Sequence, residues 1–218
     1  MADFIHEVTH TKIYKGRFYP EVRATFERHA PYMAFPLNIL FSHLTLFAPI
    51  IQKIMLGIPQ TRAMLSTGLS FSSVFAGDAA APEFRAKKAE AYLSLRCIRE
   101  PDLYQGLEKI RAIGEKYGVR ITELERDYCE PTDFEGRAFQ VLERVIGDCF
   151  PGVITAPFLL TAGTDARRFT DVADHILRFA PIDLNKKQFA AIHGDDEHIG
   201  IENIGQCVLF YKDLIGRW

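Results

Sequence analysis

The stretch Lys88–Cys97 alternates without a break. Ala89, Ala91, Leu93, Leu95 and Cys97 fall on one side, and Lys88, Glu90, Tyr92, Ser94 and Arg96 on the other. A period of two marks a strand with one face on a core and one face in water. Pro101 and Asp102 then open a helix that carries Leu103, Leu107, Ile110 and Ile113 at helical spacing and closes near Gly118. Leu69–Phe75 supplies a partner strand, the 77–87 segment (GDAAAPEFRAK) reads as a loop, and Val119–Arg126 reads as a further short strand. The resulting β-β-α-β order is what remains of a small α+β sandwich when one more strand and helix precede it.

Upstream, residues 20–66 read as helical pieces: PEVRATFERHA, then Ala34 to Leu56, then PQTRAML opened by Pro59. The 34–56 segment is long and apolar enough to span a bilayer. It also holds Asn38, Ser42, His43, Gln52 and Lys53 and is interrupted by Pro36 and Pro49, groups that lipid would leave unsatisfied. It therefore reads as an amphipathic helical arm packed on the rest of the protein or on a partner, and a membrane role is set aside.

With 218 residues, the chain has room for one large domain or two small ones. Apolar residues at 48% and charged residues at 25% exclude a disordered, collagen-like or disulfide-scaffold protein. A net charge of −2 gives no electrostatic case for nucleic acid. Cys97, Cys129, Cys149 and Cys207 form no CxxC pair and read as buried thiols of a reducing compartment. The opening MADFIHEVTHTKIYKG lacks the cationic and apolar regions of a signal peptide, so the chain is placed in the cytoplasm.

The composition changes at Cys129–Asp133, the candidate boundary between a part spanning 1–130 and a part spanning 131–218. Beyond it, Phe134, Ala138, Val141, Val145 and Cys149 mark an amphipathic helix, and Val153–Leu160 is apolar throughout, as in a strand covered on both faces. Thr164 and Asp165 cap a short helix, His175–Ala180 reads as a strand, and Ile201, Ile204, Val208, Tyr211 and Ile215 mark the last helix. This alternation predicts an α/β arrangement for the second part.

Three motifs bear on chemistry. His6-Glu7-Val8-Thr9-His10 matches HExxH, whose paired histidines can hold zinc beside a glutamate base. At the very start of the chain no sheet can border it, and an exposed polar helix is the stronger reading. His193–His198 (HGDDEH) could ligate a metal, or its carboxylates could simply favour the following helix terminus; spacing leaves both open. The TAGTDAR segment at 161–167 could present backbone N–H groups to an anion or serve as a plain N-cap. No G-x-S-x-G elbow, P-loop or G-x-G-x-x-G is present.

In order, TAGTDARRF, HILRFAPI and AAIHGDDEHIGIENIGQCVLFYKDLI resemble the C-terminal end of the zinc-dependent aminoacylase/carboxypeptidase family. That family includes glutamate carboxypeptidase, succinyl-diaminopimelate desuccinylase and aminoacylase. PLNILFSHLTLFAPIIQKIM resembles the helical arm of its carboxypeptidase S-like subgroup, and the similarity runs from about Phe18 to Leu214. The resemblance implies that 1–130 is most of a ferredoxin-like lid and dimerisation domain, its first strand missing. It further implies that 131–218 is the last α/β part of a zinc-peptidase catalytic domain. His193 then matches a zinc ligand, Arg96 the lid arginine that grips the substrate carboxylate, and Gly163 and Thr164 the turn that contacts substrate.

The family's H-x-D ligand motif, bridging aspartate, paired glutamates and remaining carboxylate ligand precede the lid and are absent here, as is the lid's Gly-His-Ser segment. The expected Asn-Val-Leu-Pro segment would fall at Glu83-Phe84-Arg85-Ala86, which does not match. One zinc ligand without a general base cannot generate hydroxide and accept its proton, so no catalytic residue is assigned and the chain alone is expected to be inactive. The reading is thus a C-terminal portion of a hydrolase acting on an N-acyl amino acid or peptide, with a homodimer or other association through the lid and the aromatic arm. Alternatives are an inert dimerisation module derived from such an enzyme and an HExxH zinc protease.

Overall fold

Two antiparallel strands, β1 (Gly68–Ala76) and β2 (Ala89–Arg96), realise the alternating stretch and its expected partner. Leu69 lies opposite Leu95 and Phe71 opposite Leu93, and the register shifts by a bulge between Phe71 and Ser73. The computed structural model describes residues 1–77, 88–126, 128–160 and 163–218. Most of the expected 77–87 loop, including Glu83–Ala86, and residues Thr161 and Ala162 lie outside the described residues. The chain is of α+β type and forms two compact units: Met1–Pro131 with Phe158–Gly163, and Thr132–Pro157 with Thr164–Trp218.

The first unit carries α1 (Ala2–His10), α2 (Pro20–His29), α3 (Leu37–Ser42), α4 (Leu44–Gly57), α5 (Pro59–Leu65) and α6 (Glu100–Lys116). Phe4 and Val8, one turn apart on α1, meet Ile110 and Ile113 of α6 and Ile13 in a core that the inward sheet residues Leu69, Phe71, Leu93 and Leu95 complete. Each such side chain, fully buried, contributes about 1.5–3 kcal/mol. Gly106 lets α6 approach Tyr14, whose ring would lie 2.1 Å from an added Cβ. Gly118, at φ 64°, ends α6 in a Schellman turn: Val119 N–H donates to Gly114 O at 2.8 Å and Gly118 N–H to Glu115 O at 3.2 Å.

A second core gathers Tyr19, Val22, Leu44, Ile51, Met55 and Leu65, with Phe26 stacked on Phe41 at 4.6 Å. The arm is thus helical as expected, but Pro49 does not break it. α4 runs through Pro49, and the interruptions fall at Pro36, before α3, and at His43, between α3 and α4. Among the described residues no helix is long and apolar enough to cross a membrane.

The second unit carries α7 (Arg137–Cys149), α8 (Lys186–Ala190) and α9 (Ile201–Arg217). α7 buries Leu142, Val145 and Ile146 against Phe210 of α9. Three expected strands do not form. Val119–Arg126, Val153–Leu160 and His175–Ala180 pair with no ladder among the described residues, so the α/β alternation expected for the second part is absent there. The apolar content of a strand is local, whereas its hydrogen-bond partner is not. Pro157 also removes a donor from the second of these runs.

The 175–183 run shows where its backbone groups go instead. Thr132 Oγ1 donates to Ile176 O at 2.7 Å and accepts from Ile176 N–H at 3.1 Å. Tyr211 OH donates to Phe179 O at 3.1 Å. Asn203 accepts from Asp183 N–H and donates to Asp183 O, both at 3.2 Å. Side chains of the 132 turn and of α9 thus do the work of neighbouring strands.

Candidate functional site

Arg96 is the last residue of β2 and pairs across the ladder with Gly68. It stands on the solvent face with Glu90, Tyr92 and Ser94, as the alternation requires. A Cβ on Gly68 would lie 3.8 Å from that of Arg96, so the glycine leaves the space beside the arginine stem open. The turn that follows is braced from beneath. Arg99 Nη2 donates to the buried Glu21 carboxylate at 2.5 Å and Nη1 to Glu130 at 3.1 Å. Asp102 accepts from Arg17 at 2.9 Å and from Tyr19 OH at 2.7 Å. Burial, then the hydrogen bond to Asp102, pushes the Tyr19 phenol up to about 12, and burial raises the Cys97 thiol. Both groups stay neutral near pH 7.

Gly163 ends the short stretch that belongs to the first unit, and at Thr164 the chain returns to the second. Thr164 precedes a 3-10 turn, Asp165–Phe169, but its hydroxyl caps no backbone N–H. That hydroxyl instead accepts from Arg178 Nε at 3.2 Å. Arg178 was not singled out by sequence reasoning; its signal is an arginine inside the otherwise apolar HILRFAPI run. The turn is cationic, with Arg167 and Arg168 on the 3-10 segment itself.

His193 lies in the turn after α8, which starts with a full capping box between Asn185 and Gln188. Its φ of 63° is left-handed, a conformation that a non-glycine residue adopts at a cost. Its N–H donates to Glu197 Oε2 at 3.1 Å. His198 Nδ1 lies 2.7 Å from Asp196 O. The HGDDEH carboxylates and imidazoles are thus tied partly to their own loop. Among the described residues no three His, Cys, Asp or Glu side chains gather into a set that could hold a metal.

The HExxH histidines stack on one another, ring centroids 4.1 Å apart, on an exposed face of α1. Glu7 is engaged elsewhere: Lys116 Nζ and Tyr117 OH both donate to Oε2 at 2.6 Å. These bonds, that of Lys116 foremost, hold the carboxyl below its ordinary range. A carboxylate so held ties α1 to the end of α6 and is poorly placed to take a proton from water.

No family model matches the chain, and no solved structure matches it. Curated proteins do. The chain is 28% identical to the probable carboxypeptidase S-like 2 of Dictyostelium discoideum, over 89% of its own length and 38% of that protein's. It is 27% identical to the N-fatty-acyl-amino acid synthase/hydrolase PM20D1 of Mus musculus, over 89% and 39%. It is 33% identical to the probable carboxypeptidase S-like 1 of Dictyostelium discoideum, over 72% and 33%. The chain therefore spans well under half the length of the relatives it matches. On this similarity, the chain is a homologue of carboxypeptidase S-like and PM20D1 proteins of the M20 peptidase family and matches a C-terminal portion of them.

Proposed function

We propose that this chain is the lid and final catalytic segment of a hydrolase that cleaves an amide or peptide bond next to a free carboxylate, with an N-acyl amino acid or a peptide as substrate. The observation that carries the reading is the similarity, along 89% of the chain, to proteins named as carboxypeptidase-like and as N-fatty-acyl-amino acid hydrolases. In this reading residues 1–130 are the lid and residues 131–218 the catalytic segment; the compact units that meet at Pro131 and Thr132 support the division.

Arg96 offers a planar fork that suits a carboxylate, and the exposed end of β2 keeps it within reach of one. Gly163 and Thr164 orient the substrate, and Arg178 holds the Thr164 hydroxyl in place. Zinc enters through His193 as one ligand, the remaining ligands and the general base being supplied outside the described residues. The chain by itself is then inactive. Pairing between copies along the lid sheet gives a homodimer. The four free thiols suit a reducing compartment, and the reading places the chain in the cytoplasm.

The test is a hybrid in which this chain replaces the matching region of a full-length carboxypeptidase S-like protein. The hybrid should hydrolyse N-acyl amino acids, and Arg96→Met should raise KM about tenfold or more while kcat changes little. A hybrid indifferent to the substrate's free carboxylate, or to Arg96→Met, would refute the assignment. The chain alone should bind zinc no tighter than micromolar by calorimetry and show no hydrolysis. A kcat within about tenfold of the intact relative's would contradict that.

A second reading, an inert association module, is favoured by the apolar side chains left exposed on α4 and α9. A monodisperse monomer by light scattering would count against it.

A further inference from the structure

α4 is apolar on two opposite faces. At 100° per residue, Leu44, Ile51 and Met55 share the face that enters the protein core, and all three are buried. The opposite face carries Leu46, Ile50, Lys53 and Gly57, flanked by Ile54. Leu46 is 74% exposed, Ile50 62% and Ile54 59%. The turn before α3 adds Tyr32 and Phe35, 71% and 78% exposed. An all-round apolar helix is ordinarily covered on every side.

Two of the polar side chains of α4 are tied to the protein. Gln52 donates to Gly16 O at 2.6 Å, and Thr45 Oγ1 accepts from Arg23 at 3.0 Å. The outer face of α4 is left with a single polar side chain, Lys53.

Charge says what kind of surface fits. Asp and Glu make up 28 of the 218 residues, yet none lies between Glu27 and Asp78. The charges in that interval are the cations Arg28, Lys53 and Arg62. A face that contacts protein has no reason to shed carboxylates over so long a run. A face that meets negatively charged headgroups does, because each nearby carboxylate would be repelled and each cation attracted. Lys53, exposed in the middle of the apolar face, is the residue type for this: a lysine can lay its stem along apolar surface while the ammonium reaches the headgroups.

We infer that the outer face of α4, with Tyr32 and Phe35, docks on an anionic lipid surface. The helix lies in the surface plane, its apolar side chains entering about 5–10 Å into the headgroup–acyl boundary, and does not span it. Of the polar groups that bar the segment from crossing a bilayer, Gln52 is turned to the protein by its bond to Gly16 O and Lys53 can reach the headgroups, so neither opposes docking in the surface plane.

The test is co-sedimentation of the 218-residue chain with phosphatidylcholine vesicles, with and without phosphatidylserine. Binding should be strongest with phosphatidylserine. Lys53→Glu should weaken it about tenfold on those vesicles and little on pure phosphatidylcholine. Ile50→Ser/Ile54→Ser should weaken binding to both about a hundredfold. All positions are exposed, so circular dichroism and Tm should match the unaltered chain. Failure to sediment with either vesicle would overturn the inference. So would a lysine reversal without effect on anionic vesicles, or a dimer by light scattering that the isoleucine changes dissociate while vesicles are ignored. The last result would assign the face to a second copy.

Discussion

Removing Arg99 should damage the fold far more than removing the acid it pairs with. Glu21 is 6% exposed, and its Oε2 is buried with no hydrogen-bond partner, so the carboxylate depends on the single 2.5 Å bond from Arg99 to Oε1. Arg99→Met leaves that charge buried and uncompensated, a class of change that costs about 3–5 kcal/mol. Arg99 is 21% exposed and keeps Glu130, so the complementary Glu21→Met should cost about 1 kcal/mol. The double variant Glu21→Met/Arg99→Met replaces the pair by two apolar chains of similar length and should recover about 2 kcal/mol relative to Arg99→Met. Urea unfolding with linear extrapolation measures all three, and amide exchange in α2 and α6 locates the effect. An Arg99→Met cost below about 1 kcal/mol would mean that water reaches Glu21 and that the pair is not buried in the energetic sense. Additive single changes would mean that the two side chains do not stabilise one another.

The remaining predictions concern the clamp, the turn and the unit without a sheet. Glu7 titrates below its ordinary range because Lys116 and Tyr117 donate to it, so its stabilisation is present above the usual carboxylate pKa and lost as pH falls through the depressed value. Glu7→Gln should therefore lower Tm at neutral pH and cease to matter in strong acid; a Tm difference that persists in acid would point to packing instead. Gly118→Ala should cost about 1 kcal/mol and Gly118→Val about 2, with Gly118→Asn between Gly and Ala, because φ is 64° there. Equal costs for Ala and Asn in denaturant unfolding would argue against a conformational origin. Asn203→Ala removes both bonds to the Asp183 backbone and should cost about 2–3 kcal/mol, with faster exchange of the Asp183 amide. Unchanged exchange would show that the run is held by packing alone.

What could be read from the sequence was what is decided locally. β2 and α6 follow from a clean period of two, Pro101 in the first helical turn and Gly118 past the end, and each forms within a residue or two of expectation. The missing strands fail for a non-local reason. His175–Ala180 has the composition of a strand, but its backbone is satisfied by Thr132 and Tyr211, residues whose proximity no window of sequence contains. α9 is instructive in the same way. Its most apolar stripe, Ile201, Ile204, Val208, Tyr211 and Ile215, is exposed, while Asn203 and Phe210 face inward. A polar Asn was an unlikely core residue until Asp183 supplied its partners.

The candidate site divides along the same line. Arg96, Gly163, Thr164 and His193 are candidates because the family resemblance assigns them position by position along the chain. Arg178 could not, because its tie to Thr164 exists only once the 164 turn and the 178 run are brought together. The HExxH match failed as a guide because spacing records that Glu7 shares a helix with His6 and His10, but not that Lys116 and Tyr117, a hundred positions away, would claim its carboxylate.

The outer face of α9 offers an internal control for the lipid inference. Ile204, Val208 and Ile215 are 55%, 63% and 75% exposed, much as Ile50 and Leu46 are on α4. Apolar exposure is therefore comparable on the two helices, and charge separates them: α9 carries Glu202 and Asp213 beside Lys212, whereas α4 itself carries no carboxylate and none lies in the sequence between Glu27 and Asp78. If exposed hydrocarbon alone drew the chain to vesicles, Ile204→Ser/Val208→Ser would weaken sedimentation as much as Ile50→Ser/Ile54→Ser. If charge selects the surface, the α9 changes should alter binding to phosphatidylserine vesicles by less than about twofold while the α4 changes act about a hundredfold. Equal effects of the two pairs would reduce lipid binding to general stickiness and remove the reason to single out α4.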